Sequence, residues 1–184
     1  LIEIIAYDPA WPDEFERIQA PLKTILGDLA LRIDHIGSTS VPGLGAKDII
    51  DIQVTVREFS PQIRQRLSRS GYQFRADITH DHLPCGADRD PRLWEKMYFM
   101  QPAGSRAMHV HVRRQGAPNQ VYPLLFRDYL RAHPDSAATV ERIKRALAEY
   151  HAQDKDAYYA IKDPVYDLIW EAAKAWAEKV HWQP

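Results

Sequence analysis

The chain has 184 residues, 45% of them hydrophobic, enough to bury one sizeable core in a single domain with room for a helical extension. Lys and Arg total 24 against 25 Asp and Glu, and the formal net charge of −1 excludes a global field for nucleic acid or an anionic membrane, so any polyanion must meet a local patch. The lone Cys85 excludes an internal disulfide, no basic segment leads into an apolar run at the start, and no stretch reaches ~18 apolar residues; the expected setting is the reducing cytoplasm, with no membrane partner.

Leu1 stands where a Met is usual, which points to a native start further upstream. Leu1 to Ala6 alternates as a short strand, and Tyr7-Asp8-Pro9 breaks it before a helix from about Pro12 to Leu29, with Pro12 suited to the first turn. Leu29 to Ile36 reads as a strand with Leu29, Leu31 and Ile33 on one face and Arg32 and Asp34 on the other. A small-residue loop from Gly37 to Gly45 leads to a second strand, Ile49 to Val56, whose β-branched density marks it as central. A helix from Ser60 to Ser70 stops at Gly71, and Tyr72 to Ala76 is a further strand. Asp77 to Pro91, with His80, His82 and Cys85, has the composition of a mobile loop over a site; its spacing lacks the second ligand pair of a structural zinc site.

Strands Glu95 to Gln101 and Ala107 to Arg114 form a hairpin through Pro102-Ala103-Gly104-Ser105. From Asn119 onward the pattern is helical only, with apolar stripes Tyr122/Leu125/Phe126/Tyr129/Leu130, Val140/Ile143/Leu147/Tyr150 and Ile161/Val165/Leu168/Ala172/Trp176/Val180. Pro134 and Gln153-Asp154 separate these helices. The expected fold is α+β: a core over residues 1–118 and a helical extension over 119–184 packed on the same domain.

The informative segment runs from His35 to Ile52. A strand that ends in Gly37-Ser38, followed by Thr39 and Ser40, lets backbone N–H groups and hydroxyls converge on an anion without bulky side chains in the way, which is the chemistry of a phosphate cradle. Asp51 sits in the next strand among apolar neighbours, where a carboxylate is costly without a cation or hydrogen bonds.

The run from His35 to Asp51, with Trp11-Pro12 before it and Leu125 to Pro134 after it, resembles the GrpB family of bacterial proteins, and the likeness extends to Lys144, Tyr158 and Lys162. That family is similar to the DNA polymerase beta-like nucleotidyltransferases, and a similar domain is fused to dephospho-CoA kinase in some bacteria. The resemblance implies a nucleotidyltransferase-like mixed sheet flanked by helices, a nucleotide or other phosphorylated small molecule as ligand, and a divalent metal. A Gly-Ser pair that holds the phosphates matches Gly37 and Ser38. Of the expected pair of metal carboxylates only Asp51 is present, because Ile49 and Gln53 flank it and Asp48 falls at an odd separation.

The third metal carboxylate of that superfamily would come from a later strand, and here that strand offers His109 and His111, which point to one face and can reach the site opposite Asp51. Magnesium or manganese is the implied ion, while an Asp with two His suits zinc, manganese or iron better than magnesium; alternatively one histidine is a general base. Lys47, Arg127 and Lys162 are the expected phosphate cations, with Arg131 four residues from Arg127 and Tyr158 four from Lys162. Two functions stay open: an enzyme that transfers a nucleotidyl or phosphoryl group, and a noncatalytic nucleotide or CoA-precursor binding module that assists another protein.

Overall fold

The computed structural model describes residues 1–184. The strands are β1 (Arg32–Ile36), β2 (Ile50–Val56), β3 (Gln73–Phe74), β4 (Met97–Met100) and β5 (Met108–Arg114); the helices are α1 (Trp11–Leu26), α2 (Pro61–Arg69), α3 (Pro118–Ala132), α4 (Pro134–Tyr150) and α5 (Lys155–Val180). One five-stranded sheet runs in the order β1-β2-β5-β4-β3. Its β2–β5 pair is parallel and the other pairs are antiparallel.

The alternation of β2 decides the layering. Ile50, Ile52, Val54 and Val56 project to one side, where they are fully buried with Trp11, Phe15, Ile18, Leu22 and Leu26 of α1 and with Ile63 and Leu67 of α2. Asp51, Gln53 and Thr55 therefore face the opposite side, toward α3. On that side Leu125, Phe126, Tyr129 and Leu130 of α3 pack with Val140 of α4, with Ala173, Ile169 and Trp170 of α5, and with Val41 and Leu44 from the β1–β2 connection. Local signals set the helix boundaries: Ser60 accepts from Gln62 N at the start of α2, Pro134 opens α4, and Asp154 accepts from Ala157 N at the start of α5. No helix is long and apolar enough to cross a membrane.

Four local expectations change. Residues Leu1 to Ala6 make only a single bridge, Ile5 to Ala46, because no further strand lies beside them to extend the ladder. Strand β1 begins at Arg32; Leu29 closes a 3-10 turn, Leu31 is exposed, and Asp34, His35 and Ile36 are buried in its place. The α5 stripe is turned outward at Ile161, Leu168, Ala172 and Val180, which are exposed, while Tyr166, Ile169, Trp170 and Ala177 take the inward positions with Trp176. The 77–91 segment lies over the site but is tied down rather than loosely held: Asp81 N donates to Trp94 O, and His80 bridges to Glu95.

Candidate functional site

Gly37 leaves β1 with φ +71° and ψ −173°, a conformation open to glycine and strained for other residues. The register pairs Ile36 with Asp51, so the turn that follows starts against that carboxylate: a Cβ on Gly37 would fall 2.5 Å from Asp51 Oδ2. Ser38, Thr39 and Ser40 then form a single 3-10 turn.

Parallel pairing sets His109 beside Asp51 and His111 beside Gln53, all on the face toward α3. His109 Nδ1 lies 3.0 Å from Asp51 Oδ1. A carboxylate accepts only, so His109 Nδ1 carries the hydrogen and donates it, and Nε2 keeps its lone pair. His111 Nε2 is 3.8 Å from the same oxygen, and its Nδ1 is 3.3 Å from Arg113 Nη2. Arginine donates only, so a neutral His111 carries its proton on Nε2, the side toward Asp51. Tyr98 of β4 packs against both rings, with centroids 5.4 Å from His109 and 5.0 Å from His111.

These neighbours set the charge states. Burial opposes ionisation of Asp51, but the hydrogen bonds from His109 and His111, joined by the charge of those rings when they are protonated, outweigh it, and the carboxyl is held well below the usual range. Burial and the Arg113 guanidinium lower His111 to about 4, against the pull of Asp51. Ligand atoms of Asp51, His109 and His111 all lie within 4.8 Å of one another. Two imidazoles and one carboxylate on one spot fit zinc, manganese or iron(II) once metal binding displaces the hydrogens that His109 Nδ1 and His111 Nε2 direct at Asp51, which for His111 also requires the Arg113 contact at Nδ1 to open. Magnesium, which asks for oxygen ligands in near-octahedral array, is served by only one of them.

The position two residues after Asp51 adds no charge. Gln53 is fully buried with both ends of its amide engaged: Nε2 donates to Gln120 O at 2.9 Å and Oε1 accepts from Arg113 Nη1 at 2.8 Å. Asp48 points away, accepting from Trp11 Nε1 at 2.9 Å and pairing with Arg106.

A cavity of about 520 Å³ opens above Asp51 between the sheet and α3–α5. Of the residues singled out from the sequence, Gly37, Ser38, Thr39, Lys47, Asp51, His109, His111 and Lys162 line it. The Thr39 hydroxyl is already engaged, donating to Ile49 O at 3.4 Å and meeting His35 Nε2 at 2.9 Å. Ser40 and Arg127 are elsewhere. Ser40 is buried with Oγ donating back to Gly37 O at 2.6 Å, which closes the turn. Arg127 donates to His35 O at 3.0 Å and pairs with Asp128 at 2.7 Å; Arg131 likewise donates to Ser40 O at 2.7 Å, so both arginines hold the loop's backbone from behind. The 77–91 segment brings Asp81, which binds Arg113 at 2.7 Å, Lys96 at 2.7 Å and Asn119 at 3.0 Å. Burial works against that carboxylate, and the charges of Arg113 and Lys96 still hold it well below the usual range. The nearby His82 pairs with Asp167 of α5 at 3.0 Å, and Cys85 is exposed.

The family model for GrpB protein matches residues 1–172. The chain belongs to the GrpB family. A dephospho-CoA kinase of Mycolicibacterium paratuberculosis is 36% identical over 197 residues, covering 100% of this chain and 48% of that protein, so the chain spans about half the length of such curated relatives. The conserved protein GrpB from Enterococcus faecalis superposes with a TM-score of 0.77 at 32% identity, over 95% of this chain and 99% of that one. Cid1 poly(U) polymerase, solved with MgATP, shares the fold at 10% identity with a TM-score of 0.52, over 82% of this chain and 44% of its own. The α+β fold of this GrpB chain is thus nucleotidyltransferase-like.

Sequence reasoning passed over several cavity residues of this GrpB domain. Arg113 continues the His109, His111 alternation on β5 and was within reach of the same period-two argument. Lys144, named from the family resemblance but given no role, lies between Val140 and Leu147 on the apolar stripe of α4, a charged residue on a buried face and therefore a visible anomaly. Tyr98, Tyr122 and Tyr166 carry no local signal; the sheet order and helix packing alone bring them to the cavity.

Proposed function

We propose that this GrpB domain transfers a nucleotidyl or phosphoryl group from a nucleotide, with a divalent ion held by Asp51, His109 and His111. The observation that carries the reading is the contact between Gly37 and Asp51, which makes a phosphate at the Ser38 turn and a cation at Asp51 neighbours in one cavity. The ion would supply Lewis acidity toward a phosphoryl oxygen. The chain's own groups do the rest. Ser38 and the backbone N–H groups of its turn hold phosphate, with Lys47 and Lys162 offsetting charge from the helical side. As the alternative to ligating the ion, His109, with Nδ1–H committed to Asp51, offers its one lone pair, on Nε2, to the proton of an acceptor hydroxyl. Arg113 orients His111 from behind. Tyr98, Tyr122 and Phe126 wall the cavity against water and present aromatic surface to a base.

A second reading, a nucleotide or CoA-precursor binding module without catalysis, is favoured by Gln53, a neutral and fully engaged side chain where a second carboxylate would act. Each labelled nucleoside triphosphate, incubated with manganese, zinc or magnesium, separates the two. Release of pyrophosphate, from nucleotidyl transfer, or of nucleoside diphosphate, from phosphoryl transfer, that Asp51→Asn abolishes supports transfer; saturable binding without turnover supports the module.

A further inference from the structure

The cavity's cations are unevenly matched. On the sheet side Lys96 and Arg113 share Asp81. On the helical side Lys47, Lys144 and Lys162 converge from the β1–β2 connection, α4 and α5. Lys47 Nζ donates to Tyr159 Oη at 2.7 Å, and Lys47 and Lys162 lie over the same Tyr159 ring, 5.1 Å and 5.3 Å from its centroid. Lys162 also sits 4.0 Å above the Tyr166 ring and pairs with Asp163 at 2.6 Å. Lys144 is buried, 3% exposed, and its Nζ donates to an uncharged acceptor, Gly45 O at 2.7 Å. An ammonium has three N–H groups, so each of these lysines has donors to spare. Like charges gathered on a low-dielectric wall are costly without an anion to share.

We infer that Lys47, Lys144 and Lys162 form one receptor for a polyphosphate-class anion on the helical wall of the cavity, with Lys144 as the buried member that gains its proton as the anion arrives. This rests on the reading of the cavity as a nucleotide pocket and adds the end of the ligand that the helices grip. Lys144 is faced by Lys47 and Lys162, by Glu141 on its own helix and by the more distant Asp51; burial first, then Lys47 and Lys162, lower its ammonium to about 7, against the pull of Glu141 and Asp51. A bound polyanion reverses the local sign and raises that value, so binding takes up a proton above neutrality and weakens as the pH rises.

The test is calorimetric titration of sodium tripolyphosphate into the full chain at about pH 8, with EDTA to exclude metal, in two buffers of different ionisation enthalpy. Lys144→Arg keeps the charge and cannot titrate there, so it is expected to bind with about half a proton or more less uptake than the native chain. Lys144→Met, and separately Lys47→Met and Lys162→Met at the less buried positions, are expected to bind about tenfold more weakly; the latter two carry the affinity test if the buried substitution unfolds the chain. Equal proton uptake by the native chain and Lys144→Arg overturns the inference, as does failure of tripolyphosphate to bind. Tripolyphosphate carries no nucleoside and EDTA removes the ion, so the receptor stands or falls apart from nucleotidyl transfer.

Discussion

Gly37 and Asp51, fourteen positions apart in the chain, touch across the β1–β2 pair closely enough that no side chain fits between them. Gly37→Ala would combine a positive φ with a Cβ 2.5 Å from Asp51 Oδ2 and 2.9 Å from Asp51 Cβ. The carboxylate can rotate aside, but Asp51 Cβ is fixed to its strand, so the turn or the strand must shift. The expected result is a loss of about 1–3 kcal/mol in urea-unfolding stability, together with loss of nucleotide binding by titration. Retained stability with native affinity would show that the turn tolerates displacement from Asp51.

Asp81 joins a loop to the sheet through charges that have little other compensation. Asp81→Asn leaves the buried Arg113 and the largely covered Lys96 with their charges unmatched, and a destabilisation of about 3–5 kcal/mol is expected in denaturant titration. Because Arg113 also contacts His111, zinc or manganese affinity is expected to change about tenfold or more by metal titration of whatever fraction stays folded. Unchanged metal affinity would remove Arg113 from the support of the site.

Acid sensitivity has a defined source in His35. Burial first, then the Arg131 and Arg127 guanidinium groups, lower it from 6.5 to about 4 in the folded chain, against the attraction of Asp51. Between those values the unfolded chain binds a proton that the folded chain refuses, so stability is full above about pH 6.5, falls as the pH drops toward about 4, and loses nothing more from this group below that. The difference corresponds to roughly 3 kcal/mol. His35→Gln, which keeps a donor toward Thr39 without titrating, is expected to make the plot of urea midpoint against pH shallower in this window, with His111, lowered to about the same value, supplying the slope that remains. A profile as steep as the native one would assign the acid loss to other groups.

Much of the layering was legible in the sequence because it follows from short-range rules. The β-branched run of β2 alternates once per residue, which fixes Asp51 on the face opposite Ile50 and Ile52, and the same period places His109 and His111 together on β5. Glycine at 71 and proline at 134 end and begin helices where such residues are expected to. The α5 stripe misled because that helix carries apolar residues around most of its circumference: Tyr166, Ile169 and Trp170 compete with Ile161 and Leu168, and only packing on α3 chooses between them. Arg127 misled for a related reason. Its sequence neighbours are compatible with a phosphate ligand, but the carbonyl of His35, ninety-two positions away, takes its donor. Long-range partners of this kind leave no periodic trace.

The pairing of phosphate and cation in one cavity is tested most directly by crystals soaked with manganese and a nonhydrolysable nucleoside triphosphate, using the anomalous signal of the metal. The proposed site requires a manganese peak within about 2.5 Å of an Asp51 oxygen and phosphate density against the N–H groups of the Ser38 turn. Manganese bound away from Asp51, or phosphates seated where they touch neither the turn nor the ion, would contradict it.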